Sequence, residues 1–235
     1  MQKEKITAIV LAGGSGKRMG ASCKKQYMLL AERPLLYYSL YAFEKSPADE
    51  IVLVTNEADY CRQQIIQKYG FQKVTRIVPG GAERYHSVYA GLTAAADSRY
   101  VLIHDGARPF LTQDIINRSI EAVRLHGACI VGMPVKDTVK IADKENFAAK
   151  TLPRDNVWQI QTPQTFSYPL ILDAYQSIIN KIPEGVTITD DAMVLEYSGY
   201  TKIKLIFGSY QNIKITTSED LLIAESFLKN REQGC

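Results

Sequence analysis

Apolar residues recur along the chain in short, nearly unbroken runs rich in β-branched side chains, at 7–12, 50–55, 75–78, 100–104 and 128–133. Runs of that length without strict alternation mark strands covered on both faces. Between them lie longer stretches with apolar positions three and four apart, which predict helices. One is opened by Pro34 in its first turn and carries Leu35, Leu36, Tyr38, Leu40, Tyr41 and Phe43; others span 58–69, 83–96 and 112–126. Strand and helix patterns in alternation predict an α/β, Rossmann-like fold, a mostly parallel sheet with helices on both faces. Helices over 169–180 and 190–199, a strand over 202–207 and a last helix over 218–229 complete a single domain, 1–235.

The pattern breaks at 136–161. Strand-like pieces there flank a polar tip, Asp143-Lys144-Glu145-Asn146, with no helical period and Pro153 near the end. This reads as a projecting β-hairpin arm; a surface loop is the plain alternative.

Composition narrows the classes. A net charge of +3 gives no reason to expect a nucleic-acid stripe or a polybasic membrane anchor. The first apolar run is too brief for a signal segment, and no later stretch approaches the ~20 apolar residues of a membrane span. Cys23, Cys61, Cys129 and Cys235 show no CxxC spacing, so neither a disulfide framework nor a zinc site is expected. The expectation is a soluble, cytoplasmic protein.

Ligands of open parallel sheets bind beyond the carboxyl ends of the strands. Three groups should meet there: the turn after Ala12, the loop after His104 and the segment after Met133. The first reads Leu11-Ala12-Gly13-Gly14-Ser15-Gly16-Lys17-Arg18-Met19. Successive glycines let backbone N–H groups approach a polyphosphate closely. It is not a Walker A loop, because Arg18 follows Gly16-Lys17. Nor is it a strict GxGxxG, because Met19 stands where the third glycine belongs. Lys17, Arg18, Lys24 and Lys25 crowd its exit, which favours a phosphate site over a mere tight connection.

This loop, with Lys25-Gln26-Tyr27, resembles the signature of the sugar-phosphate nucleotidyltransferases. Further segments resemble, within them, the 2-C-methyl-D-erythritol 4-phosphate cytidylyltransferases of the non-mevalonate isoprenoid pathway. They are Pro79-Gly80-Gly81-Ala82-Glu83-Arg84 with Ser87-Val88, His104-Asp105-Gly106-Ala107-Arg108-Pro109, the 134–140 segment PVKDTVK, Gln161-Thr162-Pro163-Gln164, Thr189-Asp190-Asp191-Ala192 and Asn212-Ile213-Lys214. The ordered set covers nearly the whole chain. One departure is Lys24, where the family usually has proline.

The resemblance implies that CMP passes from CTP to methylerythritol phosphate, releasing pyrophosphate. A phosphate monoester has a second pKa near ~6, so the attacking oxygen is already ionised and no general base is needed. Catalysis becomes alignment of two anions and stabilisation of charge. The resemblance assigns catalytic roles to Arg18, Lys25, Arg154 and Lys214. It assigns nucleotide contacts to Ala12, Gly13, Gly14, Lys25, Gly81, Ser87 and Ala107, and acceptor contacts to Asp105, Arg108, Thr138, Arg154, Thr162, Thr189 and Lys214. Asp105 would also position Mg²⁺, though an Asp there could equally cap a turn. In the family the arm crosses to a second subunit, so Arg154 would complete its neighbour's site in a homodimer. Plain alternatives remain: Arg18 and Lys25 as solvated loop cations, Gly81 as a turn former, Ser87 as helix packing, Arg154 as an exposed cation. His104 reads as a core histidine rather than a proton carrier. Trp158 and the tyrosines at 37, 38 and 41 read as packing or dimer surface.

Three other functions compete. A ribitol-5-phosphate cytidylyltransferase shares most of these segments, but PVKDTVK and TDDA fit it less well. An NAD-dependent oxidoreductase would need a GxGxxG and an acidic ribose contact about 20 residues on, and neither is found. A catalytically silent nucleotide sensor would have no use for cations on both sides of the site.

Overall fold

The structure, a computed structural model, describes residues 4–14, 24–179, 181 and 187–233. Seven strands form the central sheet in the order β11-β7-β10-β6-β1-β4-β5. They are β1 (Ile6–Leu11), β4 (Glu50–Val54), β5 (Val74–Val78), β6 (Tyr100–Asp105), β7 (Ala128–Pro134), β10 (Trp158–Ser167) and β11 (Lys204–Phe207). The pairs β1–β4, β1–β6, β4–β5 and β7–β11 are parallel. A two-stranded ribbon, β2 (Leu29–Leu30) with β3 (Arg33–Pro34), precedes α1 (Leu35–Glu44).

Side chains alternate across β1, so Ile6, Ala8 and Val10 join one core while Ile9 joins the other. The first core is covered by α1 through Leu36, Leu40 and Phe43, and by α4 (Gln113–His126) through Ile115, Ile116, Ile120 and Val123. The second is covered by α3 (Arg84–Ala94), α5 (Tyr168–Ile178) and α6 (Asp191–Tyr197) through Val88, Leu92, Ile171, Tyr175 and Leu195. The expected sheet with helices on both faces is therefore present. A third, small core seats α7 (Ser218–Gln233) against Leu30, Leu35 and Phe110.

Helix termini follow their chemistry. Thr112 caps α4 by accepting from the Ile115 N–H, and Gly127 ends it with φ +76°. The helix expected at 58–69 is a short α turn, α2 (Ala58–Tyr60), running into a π-helical stretch at Cys61–Gln67 that buries Cys61 and Ile65.

One boundary differs from the sequence reading. The hairpin consists of β8 (Lys140–Ala142) and β9 (Ala148–Thr151), all exposed, whereas Trp158–Gln161 belongs to the central sheet as the start of β10. That strand runs antiparallel between β6 and β7, with a register shift between Ile160 and Gln164. Polar residues and Pro163 hide it: the segment TPQT at 162–165 carries no apolar run, yet it is buried in the middle of the sheet.

Candidate functional site

The carboxyl ends of β1, β4, β5 and β6 open onto a cleft of about 480 Å³. Its floor is two glycine turns that touch. A Cβ added to Gly80 would lie 3.4 Å from the Gly13 Cα and 3.1 Å from the Ser87 Oγ. At Gly81 the same addition would come within 2.3 Å of the His86 Cβ, so no larger residue fits without moving α3. Side chains fix both turns. Gln26, buried, donates from Nε2 to the carbonyls of Ala12 (2.6 Å) and Gly14 (3.2 Å). Asn56 accepts from the Gly80 N–H at 2.8 Å, and the Ser87 hydroxyl accepts from the Gly81 N–H at 3.0 Å. Every expected nucleotide contact lines this cleft: Ala12, Gly13, Gly14, Lys25, Gly81, Ser87 and Ala107. Arg18 lies outside the described residues. Lys24, just before Lys25, forms an ion pair with Glu57 beyond β4.

A second cleft of about 260 Å³ opens beside the first and shares Arg84, Asp105 and Lys214 with it. Of the expected acceptor contacts, Asp105, Arg108, Thr162, Thr189 and Lys214 line it. Thr138 and Arg154 do not. Both are exposed at the arm, where Arg154 Nη1 donates to the Lys136 carbonyl at 3.2 Å.

Asp105, at the end of β6, is the hinge between the clefts. Lys214 Nζ lies 2.8 Å from Oδ2, Arg84 Nε 3.4 Å from Oδ1 and Arg108 Nε 3.7 Å from Oδ2. Burial alone would raise its pKa; the charges of Arg84, Lys214 and Arg108 overcome that and hold the carboxyl far below the usual range. Lys214 is brought in by a backbone bond from the Ile215 N–H to the Ala107 carbonyl, 2.9 Å. Arg84 is itself clamped: its two terminal nitrogens, Nη1 and Nη2, each donate to Asp191 at 2.8 Å. Asp191 has no solvent exposure; it also accepts from the Tyr175 hydroxyl at 2.7 Å, while Gln164 Oε1 accepts from its N–H at 2.9 Å. An ion pair whose carboxylate is fully buried and bonded this many times holds its arginine, itself 23% exposed, in one orientation.

His104 is fully buried and burial lowers its pKa to about 4, so it is neutral at ordinary pH. It contacts Thr162 and the Arg108 carbonyl and lines neither cleft. That is the packed histidine the sequence suggested. Trp158 packs on Phe207, and Tyr37 on Tyr41, Tyr69 and Phe71.

The sequence reading assigned no role to Arg84, Gln26, Gln164, Asp191 or Asn212, although each sat inside a quoted motif. Asn212 Nδ2 donates to the Thr162 carbonyl at 2.9 Å, and its own carbonyl accepts from Arg108. Asn56 lay in no motif, and nothing in the pattern pointed to it.

Chemically, the first cleft offers backbone amides and Lys25 to a polyphosphate, and the second offers hydroxyls and cations to a smaller polar anion. Comparison with known proteins agrees. The model of the 2-C-methyl-D-erythritol 4-phosphate cytidylyltransferase family matches residues 6–230. The enzyme of that name from Alkaliphilus oremlandii is 50% identical over 234 residues, 98% of each chain. That from Lachnoclostridium phytofermentans is 49% identical over 231 residues, 97% of this chain and 98% of the relative. The crystal structure of 4-diphosphocytidyl-2C-methyl-D-erythritol synthase from Anaerococcus prevotii superposes with a TM-score of 0.84 at 35% identity, covering 96% of both chains. None of these three carries the ribitol or oxidoreductase name.

Proposed function

We propose how this chain divides the work of transferring CMP from CTP to 2-C-methyl-D-erythritol 4-phosphate, from the premise that it belongs to the 2-C-methyl-D-erythritol 4-phosphate cytidylyltransferase family. The carrying observation is that the two clefts share Asp105, Arg84 and Lys214, so two phosphorylated molecules seated in them would meet at one point.

CTP occupies the larger cleft, with its phosphates over the 13–14 turn and its base and ribose toward Gly81 and Ser87. Lys25, together with Arg18, stabilises charge that grows on the α-phosphate as the acceptor oxygen attacks in line and pyrophosphate leaves. Lys214 and Arg154 hold the acceptor phosphate, the arginine gripping two oxygens at once. Arg108, Thr162 and Thr189 contact the acceptor. Since Thr138 and Arg154 stand away from this chain's own cleft, a second copy supplies them through its arm, and the working form is a homodimer. The exposed apolar residues of the arm, Ile141 and the 67% exposed Phe147, support that reading.

Asp105 fits Mg²⁺. Among the described residues no group of three or more His, Cys, Asp or Glu could hold a metal alone. One or two carboxylates beside a triphosphate site, here Asp105 with Glu83 on the same cleft, suit an ion that takes most of its ligands from phosphates and water. When bound, Mg²⁺ would neutralise charge on the triphosphate oxygens. Among the described residues no helix is long and apolar enough to cross a membrane, in keeping with a protein that works in the cytoplasm.

Subunit exchange tests the shared site. Arg154→Ala and Lys25→Ala proteins, each impaired when assayed with acceptor well below the parent KM, should regain activity when mixed, because one hybrid site carries neither substitution. Verified exchange with no recovery would show that each chain completes its own site.

A further inference from the structure

Thr162 lines the acceptor cleft and is 4% exposed, and its hydroxyl meets two polar neighbours. The Asp105 N–H donates to Thr162 Oγ1 at 3.1 Å. His104 Nδ1 lies 2.9 Å from the same oxygen. His104 Nε2 lies 3.3 Å from the Arg108 carbonyl oxygen. A carbonyl can only accept, so Nε2 carries the imidazole proton. Nδ1 of that neutral ring is then a bare acceptor, and the contact to Thr162 is made with the threonine's own hydrogen. The opposite tautomer would set two lone pairs against each other at Arg108, on a ring with no solvent exposure.

We infer that His104 is a positioning residue for the acceptor: by taking the Thr162 hydroxyl proton it presents the cleft with a threonine oxygen that can only accept. This rests on the reading of the second cleft as the acceptor's. The hydroxyl has a second lone pair beyond the one that meets the Asp105 N–H. The partner that fits it is a hydroxyl of the polyol, which can donate, and not an oxygen of a phosphate dianion, which cannot. Thr162 therefore reads the carbon chain of the acceptor, and the phosphate is left to the cations. His104 reaches no substrate itself. Its other contacts are structural: the ring stands edge-on to Phe43 at 5.5 Å, and the Arg108 carbonyl it holds also accepts from the Ser39 hydroxyl at 3.1 Å.

The test begins without a variant. Ring ¹⁵N NMR of His104 in the intact enzyme should show Nε2 protonated and Nδ1 not; a proton on Nδ1 overturns the inference. Kinetics with CTP and 2-C-methyl-D-erythritol 4-phosphate then separate the roles. Thr162→Val should raise the acceptor KM about tenfold, as expected for loss of one hydrogen bond to a substrate hydroxyl, with the CTP KM within about twofold. An unchanged acceptor KM would remove the acceptor reading of the cleft, and the inference with it. His104→Gln can still accept from Thr162 and donate to Arg108, so it should stay within about twofold of the parent in acceptor KM. His104→Phe cannot, and should match Thr162→Val; an acceptor KM unmoved in His104→Phe, while Thr162→Val raises it, overturns the inference and leaves the cleft reading intact. A histidine that only packs would lower thermal stability in both His104 variants without moving the acceptor KM. If His104→Phe does not fold, the NMR tautomer and the Thr162→Val and His104→Gln kinetics decide.

Discussion

The cleft proposed for the nucleotide is shaped mainly by backbone turns, the one proposed for the acceptor mainly by side chains. Around the first cleft, two glycine turns lie so close that a Cβ on either would meet the other, and they are held by Gln26, Asn56 and Ser87, all from this chain. Around the second, Arg84 and Lys214 stand in charge contact with Asp105, and Thr138 and Arg154 lie elsewhere. The difference teaches what each kind of ligand grip demands. Backbone amides can point at a polyphosphate only if the local fold fixes them, so that half must be self-contained. A long cationic side chain carries its charge at the end of a flexible stem, so it can be delivered from a distant segment or another subunit.

The largest expected effect breaks the proposed nucleotide side at Lys25. Lys25→Ala should lower kcat by about 10²–10³, with the CTP KM changed only a few-fold, because the charge it meets develops in the transition state. Steady-state kinetics with CTP varied at saturating acceptor would show it. A loss confined to the CTP KM would make Lys25 a ground-state phosphate clamp instead.

Next comes the backbone. Gly81→Ala puts a methyl 2.3 Å from the His86 Cβ and forces the turn away from α3. Overpacking of that kind costs about 1–3 kcal/mol, and here it would also displace the N–H bonded to Ser87. The stabilisation by CTP in a thermal-shift experiment should shrink more than the melting temperature of the free protein falls. A normal CTP shift would show that this turn carries no nucleotide.

On the acceptor side, Arg154→Ala should raise the acceptor KM by about tenfold and leave the CTP KM unmoved, as for loss of one charged grip on a phosphate. The melting temperature should not change, because Arg154 is exposed and its described contact is with one carbonyl. Unchanged acceptor kinetics would take it out of the site and weaken the case for the arm.

The same contrast explains what the sequence made legible. The glycine turns and the parallel strands declare themselves by local pattern, because each depends on neighbours in the chain: 7–12 and 50–55 read as strands, and the structure has strands at Ile6–Leu11 and Glu50–Val54. β10 did not declare itself. Its middle is Pro163 among Gln161, Thr162, Gln164 and Thr165, buried polar residues with partners, such as Asn212 and Asp190, from far along the chain. Polar residues satisfied by tertiary hydrogen bonds look like a loop to any reading of periodicity. Arg84 and Asp191 were hidden for a related reason: no local pattern shows that the fold buries Asp191 completely and sets Arg84, 23% exposed, against it.

The smallest effect concerns Lys24, where the family's proline is replaced. Its backbone sits at φ −63°, which is the angle proline's ring imposes, so Lys24→Pro can be accepted at this position. The substitution would remove the ion pair with Glu57, whose side chains are 36% and 41% exposed, a class of pair worth about 0–1 kcal/mol. It would also restrict the unfolded chain, which returns about 0.4–1 kcal/mol. The two nearly cancel, so unfolding in urea at moderate salt should change by less than about 0.5 kcal/mol. Salt separates them: an exposed pair is screened and chain entropy is not. Lys24→Pro should therefore equal the parent at low salt and gain on it as salt rises. A variant that loses stability equally at every salt concentration would mean that Lys24 holds the turn through something other than its charge, and the nucleotide side would then depend on side chains more than its glycines suggest.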